Sequence, residues 1–173
     1  TLVKHLPGNF SVLVPNKKGL DRAKSVGADS FNIFFSPNDV FNVANYGRRL
    51  ENILDEYRKA FADVPTRSVR VYISMAFCSE ESDLTYVIKS ALELGDKVVL
   101  CDTDGIATPE MICRAIEITY RQTDCVALHL HHSPFLFDNI QAAIDQGVRE
   151  FDTSIGGLGG CPFVPGSNAN LAT

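Results

Sequence analysis

The stretch "CVALHLHH", Cys125–His132, decides the fold. It is apolar and β-rich enough to be a buried strand, yet it carries three of the chain's four histidines. On a strand, side chains at i and i+2 share a face while those at i and i+1 do not. Val126, Leu128 and Leu130 therefore make one wholly apolar face suited to packing under helices, and His129 and His131 fall together on the other. Polar residues gathered near the C-terminal end of an otherwise apolar strand are the pattern of a barrel stave, because a TIM-type barrel keeps its chemistry where strands run into βα loops.

Working outward, similar runs recur on both sides. Strands are predicted at Ser11–Pro15, Ser30–Phe35, Val69–Phe77, Lys97–Thr103 and Arg149–Ile155 in addition to Cys125–His132. Helical patterns fall between them. The clearest spans about Asn42 to Ala62, with Leu50, Ile53, Leu54, Tyr57 and Phe61 on one face. A second starts near Ser79 and stops at Gly95; a third opens with Thr108 as N-cap and Pro109 at the first helical position; a fourth is stopped by Gly147. Strict β–α alternation implies parallel strands joined by helical crossovers. No Gly-rich phosphate turn follows any strand, which favours a barrel over a doubly wound nucleotide fold. The expected class is α/β, a (β/α)8 TIM barrel of which about six of the eight strands are represented, against a usual barrel length of ~250 residues. Residues 1–173 are read as one catalytic-barrel domain, incomplete at both ends, with strand edges left open.

Composition narrows the partners. The chain is 45% hydrophobic and 21% charged with a formal net charge of −5, so it has neither the basic surface that attracts nucleic acid nor a like-charge block for a membrane face. No apolar run approaches the roughly 18 residues a membrane helix needs, and no signal-peptide layout opens the sequence. The five cysteines are odd in number and widely spaced, which argues against both a disulfide framework and a zinc knuckle.

Several residues could carry chemistry. His129 and His131 can reach one divalent ion from a shared strand face, although a pair of hydrogen-bonded core histidines is the plainer alternative. The tail "DTSIGGLGGCPFVPGSNANLAT" is a glycine-rich loop placed directly after a strand, with Cys161 in its middle. That thiol is either an acid or nucleophile, or a small packing residue. Asp102 and Asp152 approach the C-terminal ends of their strands. For Asp102 a metal site, acid–base work and a hydrogen-bonded anchor all remain open. In "PNKKG", Lys17 and Lys18 sit on the presumed active rim, to serve a substrate phosphate or simply to begin a solvated helix.

Together, "PNKKG", "CDTDGIATP", "HLHH" and above all "GLGGCPFVPGSNANLAT" resemble the hydroxymethylglutaryl-CoA lyase branch of the metal-dependent lyase and aldolase barrels, over essentially the whole chain. The resemblance implies that His129, His131 and Asn170 are metal-site residues, that Cys161 is the catalytic cysteine of a mobile loop, and that Asp102 has a catalytic or positioning role. It implies a divalent cation, Mg²⁺ or Mn²⁺, and a small-molecule acyl-CoA substrate cleaved to acetyl-CoA and a 3-keto acid, the chemistry of leucine degradation and ketone-body metabolism. A homodimer is the candidate assembly. The expected location is the cytoplasm of a bacterium or the mitochondrial matrix of a eukaryote, without secretion. The family's "R-D-G-x-Q" strand, source of an arginine and a metal-binding aspartate, has no match here. His132 stands where the family pattern has a carboxylate after H-x-H, and Ala169 where it has glycine before the asparagine. An isopropylmalate synthase-like acyltransferase or aldolase, and a catalytically silent binding module, are the alternatives.

Overall fold

A computed structural model describes residues 10–160 and 169–173. Six strands, β1 (Val12–Leu13), β2 (Phe31–Phe35), β3 (Val69–Ile73), β4 (Lys97–Asp102), β5 (Val126–Leu130) and β6 (Phe151–Asp152), form one sheet in chain order. Every neighbouring pair is parallel. The crossovers are the helices α1 (Lys17–Ser25), α2 (Asp39–Tyr46), α3 (Leu50–Ala60), α4 (Glu81–Leu94), α5 (Pro109–Tyr120) and α6 (Leu136–Asp145). A doubly wound sheet reverses its strand order at a switch point. This sheet never reverses, so it is a barrel wall of six staves with β1 and β6 at its edges.

Strand parity divides the wall into two faces. The outward rows pair Ile33 with Val71, Phe35 with Ile73, and Leu100 with Leu128, all fully buried beneath the helices. Leu54, Val87, Ile88, Ile112 and Ile116 meet them from the helical layer. Burying each such side chain contributes about 1.5–3 kcal/mol, so this layer holds the sheet. The inward rows carry Asn32, Phe34, Arg70, Tyr72, Cys101, His129 and His131, and on the same face Val99, Cys101 and Ala127 make a small apolar floor with Tyr72 against it.

Several sequence-based boundaries move. The helix expected over 42–62 is two helices. Asn38 caps α2 by accepting from the N–H groups of Val40 and Phe41 at 2.8 and 3.2 Å, Gly47 ends it at φ 68°, and the Asp39 carboxylate takes the Leu50 N–H at 2.8 Å to start α3. The strand expected to reach Phe77 stops at Ile73, because Met75 turns to φ 58° and its N–H is bound by Thr103 Oγ1 at 3.0 Å. The outer predicted strands also shorten, to Val12–Leu13 and Phe151–Asp152.

Buried polar staples fix the loops over the C-terminal rim. Asn42, fully buried in α2, accepts from Ser36 N at 3.0 Å and donates to Ser36 O at 2.7 Å, closing the turn after β2. Asn139 in α6 donates to Ala107 O at 2.8 Å and so ties α6 to the β4–α5 turn. Gly95, just before β4, lies so close to β3 that a Cβ there would stand 2.4 Å from Val69 O.

Candidate active site

β5 delivers the two histidines as strand parity requires. His129 and His131 project from its inner face with ring centroids 5.2 Å apart and planes at 71°. His131 is buried, and its Nδ1 lies 3.0 Å from Thr103 O on the neighbouring strand's end. A carbonyl oxygen can only accept, so Nδ1 carries the proton and Nε2 keeps a lone pair. Burial, followed by the neighbouring His129, pushes the His131 pKa below its ordinary value. Both effects favour the neutral ring that a metal ligand must be.

Asn170 arrives from the chain's far end. Its backbone forms an antiparallel bridge with His131, and flanking bonds run from His132 N to Ala169 O and from Leu171 N to Leu130 O. The Asn170 amide donates from Nδ2 to Leu158 O at 2.9 Å, which turns Oδ1 the other way. Glycine is required beside it: a Cβ on Gly159, at φ 110°, would lie 2.6 Å from Asn170 Nδ2, and one on Gly157, at φ 69°, 3.0 Å from Asn170 O. The structure thus brings His129, His131 and Asn170 around one cavity of about 600 Å³, walled also by Tyr72, Thr103 and Gly160.

Asp102 and Asp152, alike in sequence, sit on opposite faces. Asp102 is in register with Leu130, so it shares the apolar face and does not line the cavity. It is 2% exposed; Oδ1 accepts from Ala107 N at 3.2 Å and Oδ2 is buried with no hydrogen-bond partner among the described residues. Burial, reinforced by Asp104, pushes its pKa up to about 6. Asp152 is in register with His129 and faces the cavity. It accepts from Tyr72 Oη at 2.8 Å and Arg70 Nη2 at 3.2 Å, and its Oδ2 stands 3.4 Å from His129 Nδ1. Burial alone would raise its pKa, but His129, Tyr72 and Arg70 outweigh that and hold the carboxyl below its usual range.

Arg70 and Tyr72 were not singled out in the sequence, although a signal was there. In "VRVYI" they occupy i and i+2 between buried Val69, Val71 and Ile73, the same polar-inside parity as the histidines. Lys17 pairs with Asp21 at 3.0 Å on an exposed helix start capped by Asn16, and His132 is exposed. Cys161 lies outside the described residues; its sequence neighbour Gly160 lines the cavity. Of the other cysteines, Cys101 is buried while Cys78 and Cys125 are exposed, and among the described residues none of these or Cys113 is disulfide-bonded.

The donor set suits a divalent cation with open positions: two imidazoles and an amide, with room for water or substrate oxygens. Among the described residues no group of three His, Cys, Asp or Glu side chains is gathered for a metal.

The chain matches the HMGL-like family over residues 4–171. It is 30% identical to the hydroxymethylglutaryl-CoA lyase of Pseudomonas mevalonii, an alignment covering 99% of this chain and 62% of that protein. It is 34% identical to the mitochondrial hydroxymethylglutaryl-CoA lyase of Arabidopsis thaliana, covering 94% of this chain and 37% of that one. Among solved structures, an HMG-CoA lyase from Acinetobacter baumannii in complex with coenzyme A and 3-methylmalate superimposes with a TM-score of 0.89 at 26% identity, covering 97% of this chain and 59% of that one. The chain spans less than two thirds of the length of each of these relatives.

Proposed function

The chain belongs to the HMGL-like family, and from that premise we propose that it is the six-stave part of a carbon–carbon lyase that cleaves a 3-hydroxy-3-methylglutaryl-type acyl-CoA into acetyl-CoA and acetoacetate. The observation that carries this reading is the pairing of His129 and His131 on the inner face of β5, with Nδ1 of His131 engaged by Thr103 O. A Mg²⁺ or Mn²⁺ ion held by His129, His131 and Asn170 would lower the pKa of the substrate's 3-hydroxyl and grip its oxygens. The Acinetobacter baumannii relative's complex supports a substrate of this type, since it pairs coenzyme A with a methyl-branched hydroxy diacid.

Cleavage is a retro-Claisen reaction. The 3-hydroxyl proton passes to a base, the hydroxyl oxygen becomes the ketone of acetoacetate, and the breaking C2–C3 bond leaves its electron pair on the thioester as an enolate. The Cys161 thiol protonates that carbon to give acetyl-CoA. Gly160 at the cavity wall supports this assignment, because Cys161 is the next residue. Asp102 acts by position: it holds the turn after β4 through Ala107 N–H, and that turn carries Thr103. Tyr72 and Thr103 line the same cavity and narrow it around the substrate. The same proposal places the protein in the bacterial cytoplasm or the mitochondrial matrix; among the described residues no helix is long and apolar enough to cross a membrane.

A catalytically silent relative is the second reading, favoured because among the described residues no group of three His, Cys, Asp or Glu side chains is gathered for a metal. One assay separates the two. The protein is incubated with 3-hydroxy-3-methylglutaryl-CoA and Mg²⁺ or Mn²⁺, and acetyl-CoA and acetoacetate are quantified. Equal amounts of both products, abolished in His131→Ala, support the lyase; no product under any metal supports the silent relative.

A further inference from the structure

The two imidazoles are approached at the same ring nitrogen by unlike groups: Thr103 O reaches Nδ1 of His131, while the Asp152 carboxylate stands 3.4 Å from Nδ1 of His129. Nδ1 of His129 is buried and, among the described residues, makes no formed hydrogen bond, so the Asp152 carboxylate meets it as a close charged neighbour. The carboxylate is not free to turn away. Arg70 Nη2 holds Oδ1 at 3.2 Å and the Tyr72 hydroxyl holds Oδ2 at 2.8 Å, with Arg70 stacked 5.8 Å above the Tyr72 ring. The Tyr72 ring in turn meets His129 edge-on at 6.1 Å. These groups come from β3, β5 and β6, and the parallel register places His129 beside Asp152.

We propose that Asp152 is a positioning residue for His129: clamped by Arg70 and Tyr72, its carboxylate holds the ring as the Nδ1–H tautomer and so presents the Nε2 lone pair to the cavity. A carboxylate only accepts, so the nitrogen facing it must carry the hydrogen. A partner beyond the ligand that fixes both ring orientation and tautomer is the usual support of a metal-binding histidine. The same clamp explains why an arginine and a tyrosine occupy the inner face of β3, where apolar side chains would pack more simply. The inference rests on the proposed role of His129 as a ligand, but the tautomer itself is measurable without any metal.

The substitution Asp152→Asn makes the idea sharp. Arg70 can only donate, so it retains the amide oxygen at the Oδ1 position and turns the amide NH₂ toward His129. Nδ1 must then accept, and the hydrogen moves to Nε2, where it blocks ligation. The test is ¹⁵N NMR of the metal-free chain, labelled at histidine and held in alkaline buffer, with His129 assigned by its disappearance in His129→Gln. The expected result is an Nδ1–H ring in the natural protein and in Asp152→Glu, an Nε2–H ring in Asp152→Asn, and a 10–100-fold loss of Mn²⁺ affinity in Asp152→Asn alone. An Nε2–H ring in the natural protein overturns the proposal whether or not any variant folds, as does an unchanged tautomer in folded Asp152→Asn. If the tautomers behave as expected but the natural protein binds no Mn²⁺, the lyase reading fails and the positioning role stands.

Discussion

His131 and Thr103 are joined across β5 and the end of β4 by a ring nitrogen and a backbone carbonyl 3.0 Å apart. The same Thr103 uses its hydroxyl to hold Met75 N–H at 3.0 Å, so one residue anchors both a candidate ligand and the left-handed turn that ends β3. Thr103→Val keeps the side-chain shape and removes the acceptor. The expected cost is about 1–3 kcal/mol, the penalty for leaving a backbone donor unsatisfied. Urea unfolding of the two proteins measures it; equal midpoints would show that Met75 N–H finds another partner.

Asn42 closes the turn after β2 by serving both the N–H and the carbonyl of Ser36 from a fully buried position. Asn42→Leu fills similar volume and strands both backbone groups, so a loss of about 2–4 kcal/mol is expected. Thermal unfolding of the variant would reveal it.

Gly95→Ala tests the closest approach between the end of α4 and β3. The added methyl would meet Val69 O at 2.4 Å and Val71 Cγ2 at 2.9 Å. Backbone cannot yield as a side-chain tip can, and overpacking of this kind costs about 1–3 kcal/mol. A denaturation midpoint equal to the natural protein's would mean that the crossover relaxes freely.

Asp102 gives a pH dependence of definite sign. Folded, it keeps its proton up to about pH 6; unfolded, it releases it near the ordinary value of 3.8. The folded state therefore binds more protons between those limits, so stability falls as pH rises through that window and stays reduced above it. Asp102→Asn removes the charge and should flatten the slope while raising stability at neutral pH by up to about 3 kcal/mol. Urea midpoints measured below and above the window check both parts, and an unaltered slope would contradict them.

Much of this was legible in the sequence. The alternation in Val126–Leu130 told outside from inside, and the same rule would have revealed Arg70 and Tyr72 in β3 and separated Asp152 from Asp102, since Asp102 shares the parity of buried Leu100. Those assignments need only period two applied to each strand. Other features needed coordinates. The break between α2 and α3 depends on Asp39 reaching Leu50 N–H across Gly47, and the end of β3 depends on Thr103, 28 residues later in the chain. Asn170 reaches His131 by backbone bridging, which no local pattern encodes.

The central claim is that His129 and His131 bind one divalent cation together, and electron spin-echo spectroscopy of the Mn²⁺-loaded chain tests it most directly. The expected spectrum shows ¹⁴N coupling from two directly bound imidazoles, falling to one in His129→Ala and one in His131→Ala. A spectrum of water-ligated Mn²⁺ alone, or imidazole coupling that survives in the double variant, would contradict it.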